Sequence, residues 1–190
     1  MQTHRPRRAL KSAAVAALLC MGAAIAIAAP VEKASENDAT AFPLMTEKDR
    51  ATVYFDENDS KTVKTVANLF ADDVERVTGK RPTVSTGKPK AKIAVIVGTV
   101  DGNRWIRELS EKKKVDASAM RGQWERFVLA TVENPFPGVE EALIVAGSDR
   151  RGAAYGLLSI SEAIGVSPLY WWSDVPVRRA KEVRLKRPIS

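Results

Sequence analysis

Lys92-Ile-Ala-Val-Ile-Val-Gly98 is the stretch on which the fold turns. Its apolar core runs unbroken between turn-forming neighbours, and a strand without polar alternation is one whose two faces are both buried. Glu141-Ala-Leu-Ile-Val-Ala146 repeats the pattern. A sheet apolar on both faces needs helices to cover it, so these two runs predict an α/β (α+β) domain.

The flanking segments supply those helices. From Lys61 to Thr78, residues Val63, Val66, Ala67, Phe70, Val74 and Val77 recur at helical spacing, with a cap available in Asn58-Asp59-Ser60 and a stop at Gly79. Lys61, Lys64, Asp72, Glu75 and Arg76 make its solvated side. Ahead of it, Ala51 to Asp56 is a short β-rich run. Gly102 to Lys113 predicts a second helix carrying Trp105, Ile106 and Leu109. Arg126 to Val132 predicts a strand, and the Asn134-Pro-Phe-Pro-Gly138 turn makes 126 to 146 a hairpin. A last helix spans about Arg150 to Ile164, with Ala154, Leu157, Ile160, Ala163 and Ile164 as its apolar face and Gly165 at its end. The order β-α-β-α-β-β-α predicts a mixed β-sheet with packed helices.

The ends of the chain read differently. Arg5, Arg7, Arg8 and Lys11 precede an uncharged apolar stretch from Ala13 to Ala26, and Ala26-Ile27-Ala28 offers a small-x-small cleavage pattern. Residues 1–28 are therefore expected to be a signal peptide, with the mature chain exported to the periplasm or beyond and no membrane association after cleavage. Residues 29–48 read as a flexible lead-in, 49–168 as the α/β domain, and 169–190 as an aromatic, then basic, linker. The net charge of +7 is concentrated at the ends, since residues 29–177 hold 20 basic and 22 acidic groups. That balance is no footprint for nucleic acid.

The single cysteine, Cys20, and the single histidine, His4, both fall in the expected signal segment. A mature chain without either residue has no disulfide, no Cys or His metal ligand and no histidine-based triad. Phosphate-cradling glycine motifs are also missing from the sequence, so no nucleotide, metal or other cofactor is expected.

The densest run is Gly147-Ser-Asp-Arg-Arg-Gly152, continuing through Tyr155-Gly156, Ser161-Glu162 and Gly165-Val-Ser-Pro168 to Tyr170-Trp-Trp-Ser-Asp-Val-Pro176. Asp149 stands where a helix N-cap is needed. Arg150 and Arg151 oppose the helix dipole, which calls for an anionic ligand or a facing acidic surface. Glu162 lies on the same side as Arg151 and Tyr155 by helical spacing. Arg150, Arg151, Glu162 and Trp172 are the candidate substrate contacts. Tyr170, Trp171 and Trp172 cannot all be buried on one face of a strand and read as an interdomain surface. No pair of carboxylates stands out as a catalytic acid and base.

This run resembles the closing segment of the first domain of glycoside hydrolase family 115. Val77-Thr-Gly79 with Pro82, Ile96-Val-Gly-Thr99 and Gly122-Gln-Trp-Glu-Arg-Phe127 look like the same domain, so the resemblance covers about residues 50–178. Arg150 stands where the family usually has Lys, and Leu169 where it usually has Trp. The resemblance implies a relative of xylan α-1,2-glucuronidases, acting on (4-O-methyl)glucuronic acid side chains of xylan-type polysaccharide. It also implies a fold similar to domain 2 of β-hexosaminidases, and catalysis housed in a following (β/α)8 barrel that this chain lacks. On that reading the chain is a non-catalytic supporting domain, the alternative being a free-standing secreted carbohydrate-binding module.

Overall fold

A computed structural model describes residues 31–117 and 120–187, with the Trp171 side chain outside the description. The expected signal peptide, with Cys20 and His4, lies outside the described residues. Five strands form the main sheet: β2 (Thr52–Phe55), β3 (Val84–Ser85), β4 (Ile93–Thr99), β5 (Phe127–Glu133) and β6 (Glu141–Gly147). They lie in the order β3-β2-β4-β6-β5. Neighbours are parallel except for β5, which returns antiparallel to β6 in the register Phe127 opposite Gly147 to Glu133 opposite Glu141. The mixed sheet and the 126–146 hairpin are as the sequence reads.

Alternation along the strands divides the core in two. Val53, Phe55, Ile93, Val95, Val97, Leu143 and Val145 face a cluster built with α1 (Lys61–Thr78) and α3 (Arg150–Ile164). Tyr54, Ala94, Ile96, Ala142, Ile144 and Ala146 face the other way, toward α2 (Arg104–Glu111). Trp105 lies in that second cluster and meets Tyr54 edge-on at a centroid distance of 6.4 Å. The Tyr54 hydroxyl accepts from the backbone N–H groups of Lys90 and Ala91. Helix α1 begins at Ser60, whose side chain accepts from Thr62 N–H, and ends at Gly79 in the left-handed region at φ 71°.

Two segments differ from the sequence reading. The 29–48 lead-in contains β1 (Phe42–Met45), and the 169–190 linker contains β7 (Val183–Leu185). These pair antiparallel, Phe42 opposite Leu185, in a second sheet of two strands. Phe42, Leu44, Met45, Val183 and Leu185 are buried in the α1/α3 cluster. Hydrophobic burial overrides the polar composition around them. Arg187 then forks onto Glu141 at the start of β6, donating from Nη1 and Nη2, and its Nε donates to the Thr40 carbonyl. The aromatic run is not extended either: Tyr170–Ser173 forms a short helix, α4.

Between α1 and α3 sits a buried carboxylate, Asp73, 2.7 Å from Arg76 one turn on. Burial holds its carboxyl above the ordinary value, and the Ser161 hydroxyl of α3 and then the Arg76 charge only partly offset this. Arg76 in turn lies over the Tyr170 ring at 5.4 Å, so α1 supports α4.

If β1 is part of the core, Leu44→Ala should destabilise the protein by about 2–5 kcal/mol, as for other fully buried leucines. The exposed Leu69→Ala should stay within about 0.5 kcal/mol. Urea midpoints of the two variants check both values.

Candidate functional site

The C-terminal ends of β2, β4 and β6 form a crest, the edge at which parallel sheets present their loops. Its two halves differ in how fully the polar groups are used.

Over β2 and β4 the groups are spent on each other. Asp56, 2% exposed, accepts from the N–H of Asn58 at 3.1 Å and of Arg104 at 3.1 Å, and pairs with the Arg104 guanidinium at 3.0 Å. Burial pushes its carboxyl up, yet these donors and the Arg104 charge together hold it below the ordinary value. Asp59 accepts from Thr99 N–H at 2.7 Å, Thr99 Oγ1 at 2.9 Å and Ser60 N–H at 2.7 Å. Asn103 accepts from Trp105 and Ile106 N–H as the α2 cap and donates to the Val97 carbonyl. The space is equally full, because a Cβ on Gly98 or Gly102 would lie within 2.6 Å of Asp59.

Over β6 the crest carries the sequence motif. Asp149 caps α3 by accepting from Arg151 and Gly152 N–H, both at 2.8 Å, and its other oxygen accepts from Glu125 N–H at 3.0 Å. The Gly152 N–H bond foremost, then those from Glu125 and Arg151, keep this carboxyl below its ordinary value. Glycine is required beside it, since a Cβ at Gly152 would sit 2.0 Å from the Arg126 carbonyl oxygen. Glu125 itself is held at φ 58°, in the left-handed region.

Of the two arginines set against the dipole, Arg151 has an acidic surface for its partner: its guanidinium is 2.6 Å from Glu125. Arg150 is exposed and makes no ion pair among the described residues. Tyr155 and Glu162 are exposed farther along α3, and eleven residues separate Arg151 from Glu162, about 16 Å at the helical rise. Glu162 therefore stands at the far end of the helix from the arginine pair. Tyr170 is half-buried against the α1/α3 cluster, Trp172 is 85% exposed, and the Trp171 side chain lies outside the described residues. One exposed aromatic was not singled out as a site residue from sequence: Trp124, 81% exposed, next to Glu125. Its only signal is its place inside the Gly122–Phe127 motif. Among the described residues no group of three or more acidic, His or Cys side chains is disposed to hold a metal.

Asp149→Ala should cost about 1–2 kcal/mol at neutral pH, the usual weight of an N-cap. A carboxyl with a lowered folded pKa stabilises above its unfolded value, near 4, and that contribution is lost as pH falls through the folded value. The gap between wild type and variant should therefore narrow toward pH 3 in urea denaturation followed by circular dichroism.

Neither a family model nor a curated protein sequence matches the chain. Among solved structures, a family GH115 4-O-methyl-α-glucuronidase, BtGH115A, with specificity for decorated arabinogalactans, aligns with a TM-score of 0.61 at 30% sequence identity. The alignment covers 78% of this chain and 18% of that chain, so the present chain spans less than a fifth of the enzyme's length. Over that span the chain is thus similar to part of a glycoside hydrolase family 115 enzyme, and the match is consistent with the N-terminal domain of that family.

Proposed function

We propose that this chain is the non-catalytic, supporting N-terminal domain of an exported glycosidase that acts on (4-O-methyl)glucuronic acid side chains of a polysaccharide. The observation that supports the reading is the state of the crest carboxylates. Glycosidic hydrolysis needs two carboxyl groups placed across the scissile bond, one of them free to give a proton. Asp56, Asp59 and Asp149 instead accept from backbone N–H donors, and those donors hold the Asp56 and Asp149 carboxyls below the ordinary value, the direction opposite to that of a general acid. Such groups are structural, and an ionised carboxylate is a poor general acid. Tyr170 and Trp172 on α4, with Trp171, are then the contact to the catalytic part of the enzyme, while Arg150, Arg151, Glu162 and Trp172 are the groups available to approach its substrate.

A second reading, a free-standing carbohydrate-binding module, is favoured by the exposure of Trp172. Stacking on a sugar face would use the ring as it stands.

The purified chain, incubated with glucuronoxylan, should release no glucuronic or 4-O-methylglucuronic acid when the products are separated by anion-exchange chromatography. Appearance of either acid at a rate proportional to protein concentration would overturn the non-catalytic assignment.

A further inference from the structure

Trp124 exposes most of its indole from a ledge that is tied down on every side. Gln123 N–H donates to the Met120 carbonyl at 3.0 Å, Glu125 N–H to Asp149 at 3.0 Å and Arg126 N–H to Ser148 Oγ at 3.0 Å. Ser148 N–H returns a bond to the Arg126 carbonyl at 2.8 Å. An indole left in water forgoes one of the largest burial gains a side chain can make. Here it is held there by fixed backbone, with the next residue in the left-handed region, a conformation that costs energy and that the Asp149 and Arg151 contacts maintain.

The charges around the ledge are unequal in their commitments. Arg121 pairs with Asp101 at 3.5 Å and Arg151 with Glu125 at 2.6 Å. Asp149 is used by the α3 cap. Arg126 and Arg150, both exposed, make no ion pair among the described residues. Both are rooted in the groups that fix the ledge: Arg126 bonds to Ser148 through its own backbone N–H and carbonyl, and Arg150 follows Asp149, whose carboxylate accepts from Glu125 N–H. The surface thus offers a flat aromatic face and two uncommitted guanidinium groups. A pyranose ring has an apolar C–H face suited to an indole, and a uronate carries a carboxylate suited to the forked donors of arginine.

We propose that Trp124, with Arg126 and Arg150, forms a binding platform for uronate-bearing pyranose chains. For the class of ligand the proposal rests on the glycosidase-related reading above. It assigns the contact to the β5/α3 ledge.

Affinity electrophoresis of the purified chain in gels containing glucuronoxylan, carboxyl-reduced glucuronoxylan or no polysaccharide tests it. The wild-type chain should be retarded by glucuronoxylan and less so by the carboxyl-reduced polymer. Trp124→Ala leaves every charge in place and should abolish the retardation, while Leu69→Ala, exposed on α1, should keep it. The Arg126→Gln/Arg150→Gln variant should be retarded equally by the acidic and the reduced polymer. Because Trp124 is exposed, its alanine variant should melt within a few degrees of wild type, which separates lost binding from lost fold. An unretarded wild-type chain, or a Trp124→Ala variant retarded as strongly as wild type, overturns the proposal. Neither result bears on the non-catalytic assignment, which is decided by acid release alone.

Discussion

Every layer of this protein answers to the burial of β4 and β6 on both faces. Ile93, Val95 and Val97 point one way, Ala94 and Ile96 the other, and each of these side chains is at most 5% exposed. A strand in that position cannot rest one face in water, so both faces of the sheet must be covered. Helices α1 and α3 cover one, and α2 with Val115, Ala117 and Met120 covers the other. Parallel pairing of β2, β4 and β6 then brings three strand ends to one crest. The backbone groups and loops there are satisfied by Asp56, Asp59, Asn103 and Asp149. The crest's chemistry follows from the sheet: its carboxylates complete hydrogen bonds that the strand–helix junctions leave open.

The same burial explains how the two ends of the described chain come together. β1 and β7 add Phe42, Leu44, Met45, Val183 and Leu185 to the buried cluster of the α1/α3 layer. Glu141, mostly buried at the start of β6, has its carboxyl raised chiefly by desolvation, and the Arg187 fork opposes that cost. The β7 side of the small sheet is thereby fastened to the main one by a charged pair that burial makes expensive to break.

What could be read from sequence was what depends on local period. The unbroken runs at 92–98 and 141–146, the α1 spacing and the Gly79 and Gly165 stops are short-range patterns, and the structure holds each within about two residues. The β1/β7 pair has no such signature. Each strand is short, Pro43 interrupts the first, and about 140 residues separate them, so only tertiary contact specifies the pairing. At the site, the capping role of Asp149 was legible because caps are local. The partner of Arg151 was not, because Glu125 arrives from another element and is placed by a left-handed backbone turn that the sequence Trp124-Glu125-Arg126 does not announce.

The contrast between the two halves of the crest points to where interaction is possible at all. Over β2 and β4 a ligand would have to displace Asp59, Thr99 or Asn103 from bonds on which the α2 cap and the β4 terminus depend, and the glycines there leave no space even for a methyl group. Over β6 the backbone is also hydrogen-bonded, but Arg150, Arg126 and Trp124 are exposed there. Rigid backbone with outward polar and aromatic groups lowers the ordering cost of any contact made there. The outward-facing groups of the crest thus lie at its β5/α3 edge, while those over β2 and β4 are engaged with one another.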